Sequence, residues 1–156
     1  MCSHILTVIS LVGILSVTSV AAQQVREVRE AAPSDRAADF PAQVLAHEIT
    51  RIEAEDIYLV RLLEGGTHNT NIRHDENITS DTAVYRAHPR TVDVWIVQRG
   101  SGTLVTGGRM VNDELVDGVE RVIGEGDLVF IPAGTLHGIK ETISITWLNI
   151  RYDMAE

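Results

Sequence analysis

Residues Gly126 to His137 read GDLVFIPAGTLH, and this stretch decides the fold. Its spacing is G-x5-P-x-G-x2-H. Gly126 permits a turn into a short apolar strand, Leu128–Ile131, and Pro132 with Gly134 then sets a tight turn ahead of His137. The surrounding chain has the same texture. Short segments rich in Val, Ile, Thr and aromatics are expected as strands at Ala46–Glu53, Asp56–Leu63, Thr67–Arg73, Thr82–Ala87, Thr91–Gln98 and Gly102–Val105. More follow at Arg109–Val111, Val119–Val122, Gly138–Lys140 and Ile143–Arg151. Turn formers such as Glu64-Gly65-Gly66, Arg99-Gly100-Ser101-Gly102 and Gly124-Glu125-Gly126 separate them. No helical stripe longer than about three turns is expected after residue 43. Some ten short strands in about 110 residues imply an all-β chain closed into a barrel or sandwich.

Alternation divides two of these segments into faces. Asp93, Trp95 and Val97 oppose Val94, Ile96 and Gln98. Ile143, Ile145, Trp147, Asn149 and Arg151 oppose Ser144, Thr146, Leu148 and Ile150. Both faces of the second segment are mixed in polarity, so the pattern alone does not say which one lines the interior.

The chain has 156 residues, enough for one domain. Apolar residues make up 44% and charged residues 22%, a globular composition rather than a disordered or repetitive one. Thirteen basic residues against 22 acidic ones leave a formal charge of −9, which repels phosphates and argues against nucleic acid as a partner. The single cysteine, Cys2, excludes an intrachain disulfide framework and a cysteine-rich metal site.

No charged side chain occurs before Arg26. Ile5 to Val20 reads ILTVISLVGILSVTSV, followed by Ala21, Ala22 and two glutamines. An apolar core, a small-residue exit and a polar start describe a secretory signal peptide over residues 1–22, with cleavage after Ala21 or Ala22. A retained anchor is the alternative, since about 20 apolar residues span a bilayer, but the Ser, Thr and Gly interruptions favour cleavage. The mature chain is then expected to be secreted or periplasmic and free of a stable membrane anchor. Residues 23–42, with two prolines and mixed charges, read as a linker or N-terminal arm, and residues 43–156 as the barrel domain.

The GDLVFIPAGTLH stretch resembles the second conserved motif of the cupin superfamily. Upstream, Arg86 to Gly100 reads RAHPRTVDVWIVQRG and resembles the first cupin motif, H-x-H-x(3,4)-E-x6-G. His88 falls on the second histidine, Asp93 on the glutamate and Gly100 on the closing glycine. The resemblance covers Val60 to Arg151 and implies a single double-stranded β-helix, or jelly-roll, barrel. It also implies a site of three His and one Glu around Fe, Mn, Zn, Ni or Cu, and pairing into homodimers through outer strands.

Two departures concern the chemistry. Arg86 stands where the first histidine would be, and arginine has no lone pair for a metal. Asp93 shortens the carboxylate by one methylene. His88, His137 and Asp93 remain, and two His with one carboxylate can still hold non-haem iron or a hydrolytic zinc. Two readings therefore stay open. In the first, a divalent metal on these residues serves an isomerase, lyase or dioxygenase acting on a small oxygenated molecule, with Arg86 orienting an acidic group and Tyr85 donating a proton. In the second, the barrel captures a small organic ligand without a metal and breaks no bond. Arg86 needs an anionic partner if buried, which is either Asp93 or the ligand. Asp93 itself has a plainer option, pairing with Arg90. His68 and His74 share one face of a strand and Asn69 and Asn71 the other, so one pair can line the pocket, with a rim or loop role as the expectation; Tyr58, Tyr85, Trp95, Phe130 and Trp147 are expected in the core.

Overall fold

The computed structural model describes residues 26–155; the expected signal segment, residues 1–22, lies outside them. In chain order the elements are β1 (Arg26–Ala31), α1 (Ala42–Ala54), β2 (Leu59–Glu64), β3 (His68–Ile78), β4 (Thr91–Thr106), β5 (Arg109–Val111), β6 (Glu114–Val116), β7 (Val119–Gly124), β8 (Leu128–Ile131), β9 (His137–Lys140) and β10 (Thr142–Asp153). The described chain is mostly β with one short helix.

Strand β4 organises the sheets. Its first half pairs with β10 on one side, Asp93 facing Arg151, and with β8 on the other, Asp93 facing Ile131. Its second half leaves for the opposite wall, where Ser101–Thr106 pair with β7 and Thr103–Thr106 with β9. From β10 the first wall continues through β3 and β2 to β1, which lies parallel to β2. Gly100 makes the crossing possible. Its φ is +72°, and a Cβ there would lie 2.1 Å from the Ser144 carbonyl oxygen of β10.

Between the walls pack Trp95, Val97, Ile123, Ile131, Ile145 and Trp147, all nearly inaccessible to water. Each fully buried side chain of this size is worth roughly 1.5–3 kcal/mol of transfer free energy. The inward sets are Asp93, Trp95 and Val97 on β4 and Ile145, Trp147, Asn149 and Arg151 on β10. Ile143 is the exception on β10: it is 83% exposed, beyond the barrel's end.

Several sequence expectations change. Ala46–Glu53 is not a strand but the centre of α1. Leu45, Ile49 and Ile52 recur at i, i+4 and i+7, a helical spacing, and Ile49 and Ile52 bury against Val60, Leu62 and Ile72 on the outside of β2 and β3. A polar relay fixes the helix. His74 Nδ1 lies 2.9 Å from Thr146 Oγ1, Thr146 donates to Glu53 at 2.9 Å, and Arg99 pairs with Glu53 at 2.7 Å. The expected linker carries β1, which adds a backbone ladder to the sheet edge. Thr82–Ala87 is not a strand, since only Arg86 bridges, to His137. Thr91–Gln98 and Gly102–Val105 are one bent strand. Phe130 does not join the core: with Leu128 it points outward and is 56% exposed.

Gly100→Ala combines a left-handed φ with a backbone clash, whereas Gly126→Ala, at φ +88° in open space, carries only the backbone penalty. Gly100→Ala should cost more than about 1 kcal/mol and lower the melting temperature by at least roughly 3 °C. Gly126→Ala should cost less in the same thermal melts, and equal losses would contradict the tight crossing.

Candidate metal centre

The two motif segments are clasped by backbone hydrogen bonds. Arg86 and His137 exchange a pair, Arg86 N–H to the His137 carbonyl at 3.0 Å and His137 N–H to the Arg86 carbonyl at 2.9 Å. The Gly134 N–H donates to the His88 carbonyl at 2.8 Å, and Thr135 N–H closes the turn on Pro132 at 3.2 Å. The turn after β8 therefore grips the loop before β4. Gly134 holds φ +78°, as the turn requires. Gly138 leaves room for the neighbouring segment, since a Cβ there would lie 2.5 Å from the Val84 carbonyl oxygen.

This clasp brings His88 and His137 to within 5.4 Å, ring centre to ring centre, above Asp93. Nε2 of each histidine lies 3.9 Å from Asp93 Oδ2. One ligand atom from each of the three residues lies within 4.8 Å of the others. His137 Nδ1 sits 2.9 Å from the Thr135 carbonyl oxygen, which can only accept, so the proton is on Nδ1 and the Nε2 lone pair is presented to the cluster. Asp93 is 1% exposed. Its Oδ1 is 3.0 Å from Arg151 Nε, an ion pair whose N–H is not aligned as a hydrogen bond, and its Oδ2 is buried with no hydrogen-bond partner. A buried carboxylate oxygen facing two imidazole nitrogens is a donor set that fits a divalent cation.

The cluster opens on a cavity of about 350 Å³ between the barrel walls. Trp95 and Trp147, 4.9 Å apart, form its apolar wall, and Trp95 meets the His137 ring edge-on at 5.6 Å. Asn149 and Arg151 enter from β10, Arg73 and Asp75 from β3, and Arg86 from the loop. Arg73 lies over the Tyr58 ring, 4.0 Å from its centre, and donates to the Tyr58 hydroxyl. Burial pushes Arg73 below the ordinary arginine value, while Tyr58 and Asp75 oppose that shift. Burial pushes the Asp75 carboxyl up, against the pull of Arg73, His74 and Arg86.

The structure gathers four of the five residues singled out in sequence. His88, Asp93 and His137 form the cluster, and Arg86 lines the cavity. Tyr85, expected as a proton donor, faces away from the cavity. Alternation sends it opposite Arg86, its ring packs over Gly138, and its charged surroundings are Lys140, Glu120 and Glu141. Asp93 pairs with Arg151 and not with Arg86, because the β4–β10 register places Arg151 directly opposite it. Asn71 and His74 leave the rim for the interior, where they bond Arg61 and Thr146. Arg73, Asp75 and Arg151 join them without any motif in the sequence to mark them. Alternation on β3 and β10 could have put them on one face, but only register brings those faces to the same cavity.

No protein-family model matches the sequence, and the curated proteins give no match. Solved structures do resemble the fold. BH2720 from Bacillus halodurans superposes with a TM-score of 0.51 at 19% identity, over 64% of this chain and 72% of its own. HppE in its Fe(II) form gives 0.52 at 13% identity, over 62% and 52%, and HppE with Co(II) and substrate gives 0.51 at 13%, over 61% and 52%. The present chain thus spans about half the length of HppE. The likeness is one of fold alone, a β-barrel of the cupin type. Within it, the cluster of His88, Asp93 and His137 could hold a metal ion.

Burial and Arg151 push His88 below its ordinary value of 6.5, and Asp93 opposes them. An NMR titration of the His88 ring in metal-free protein should therefore give a midpoint under 6.5. Because the folded value is the lowered one, this group removes stability as pH falls through 6.5 and has no effect well above it. A midpoint above 6.5 would mean that Asp93 outweighs burial and Arg151.

Proposed function

We propose that the barrel holds a divalent metal on His88, Asp93 and His137 and binds, and there transforms, a small oxygenated organic molecule. The buried, unpartnered Oδ2 of Asp93 facing two Nε2 atoms carries this reading. A divalent ion at this point supplies Lewis-acid polarisation of a ligand oxygen, or dioxygen activation if it is iron. HppE, a fold relative, is known with Fe(II) and Co(II), which is in keeping with a metal of this kind.

The chain's own residues prepare the site in separate ways. Thr135 fixes the His137 tautomer, and burial keeps His88 neutral toward lower pH, the form in which it ligates. Arg151 holds one Asp93 oxygen and leaves the other for the cluster. Trp95 and Trp147 exclude water from one wall, while Arg86 presents a cation at the mouth. A metal-free binding barrel is the second reading, and Arg86 in the first-histidine position favours it, because only three ligands remain.

Elemental analysis of protein purified without chelator or affinity-tag metal separates the two. Near-stoichiometric metal is expected, lost in His88→Ala and His137→Ala and reduced in Asp93→Ala. Unchanged metal in His137→Ala would overturn the ligand assignment, and no metal after reconstitution would leave the binding barrel. Arg151→Gln should weaken metal affinity roughly 10–100-fold, as loss of an orienting partner does.

The same proposal places the mature protein outside the cytoplasm, on the strength of residues 1–22, and as a homodimer. Exposed Leu128 and Phe130 of β8 lie in register with Ile96 and Val94 of β4, and Val94 with Ile150 of β10, giving an apolar outer surface. Phe130→Asp should convert a dimer to monomer in light scattering. An unchanged mass would place the dimer contact elsewhere.

A further inference from the structure

Arg73 is a largely enclosed cation whose polar atoms are incompletely partnered. Its Nε is shielded from solvent without a hydrogen-bond partner, and its guanidinium has the Tyr58 hydroxyl as its hydrogen-bond acceptor. It forms no ion pair with any described residue. The Tyr58 ring at 4.0 Å and the Trp147 ring at 5.7 Å stabilise the cation through their π faces and not through an ion pair. An interior guanidinium of this kind is costly unless an anion meets it.

Arg86 borders the same cavity, and its side chain likewise has no ion pair or hydrogen bond among the described residues. It lines this cavity together with Arg73 of β3 and His88 of the cluster. Asp75 is the internal candidate for a counterion. Its carboxyl lies two residues along β3 from Arg73 and forms no ion pair with either guanidinium.

We infer that Arg73 and Arg86 form a carboxylate-binding end of the cavity, beside the His88–Asp93–His137 cluster, and that the molecule held there is a monoanionic organic acid. The inference rests on the cavity being a small-molecule site, and it does not need the metal. Planar guanidinium forks match a carboxylate edge. The cavity tolerates little added negative charge, because its lining holds more carboxylates than guanidiniums. Asp56, Asp75, Glu76 and Asp93 line the cavity against Arg73, Arg86 and Arg151, and Arg151 is already committed to Asp93. A dianionic phosphate meets more repulsion there than a single carboxylate does. The indole wall suits the uncharged body of the acid.

Calorimetric titration of the chelator-stripped full chain tests this without reference to catalysis. The probes are sodium benzoate and sodium glycolate, each against its neutral amide, and inorganic phosphate. At least one carboxylate is expected to bind tenfold or more tightly than its amide and than phosphate. Arg86→Gln, on an exposed side chain, should lower that affinity at least tenfold. Arg73→Gln should do the same, and Arg73→Lys should not restore it, since the charge returns without the fork. Circular dichroism melts identify any Arg73 variant that has failed to fold, and Arg86→Gln then decides. His137→Ala should keep carboxylate binding while losing metal, which separates this inference from the metal reading. Equal binding of acid and amide, preference for phosphate, no binding of either acid, or wild-type affinity in Arg86→Gln would each overturn it.

Discussion

A single bent strand carries the architecture. β4 takes β10 and β8 as neighbours before Gly100 and β7 and β9 after it, so both walls hang on one continuous backbone. The bend depends on a residue without a side chain, because the carbonyl of Ser144 occupies the space a Cβ would need. Everything chemical follows from that crossing. Asp93 lies near the start of the strand, deep inside, and β9 delivers His137 from the far wall.

The second constraint is the clasp between the turn at Pro132–Gly134 and the loop at Arg86–His88. Three backbone hydrogen bonds join them. They explain why a histidine on a loop can serve a buried site: its carbonyl is held by Gly134, so its ring has few places to go. The loop is otherwise exposed, with one bridge in place of a strand, and it leaves Arg86 at the cavity mouth.

Charge in and around the barrel is distributed in an uneven way. Asp93 has Arg151, and Glu53 has Arg99 and Thr146. Those pairs fasten strands and helix to one another. The side chains of Arg73 and Arg86 form no ion pair among the described residues, and both border the cavity onto which the cluster opens, Arg73 enclosed and Arg86 exposed. For Arg73, held in a low-dielectric interior, a charge left over from structural pairing is either strain or a binding element. The aromatic support under Arg73 shows how the fold holds it in place.

The barrel, its short strands and the Gly–Pro–Gly turn were legible in sequence, because period-two alternation and turn chemistry act within a few residues. So were His88, Asp93 and His137, through their place in two motifs. The helix Ala42–Ala54 was not read correctly: its apolar stripe is narrow, and it is stabilised by packing on β2 and β3 rather than by local preference. The Asp93–Arg151 pair, the place of Arg73 beside the cluster and the outward face of Tyr85 and Phe130 came only from the tertiary structure. Each is a matter of strand register or of which side faces in. Register is set by the long-range ladder of β4 with β10, whose partners are some fifty residues apart, and no local pattern encodes it.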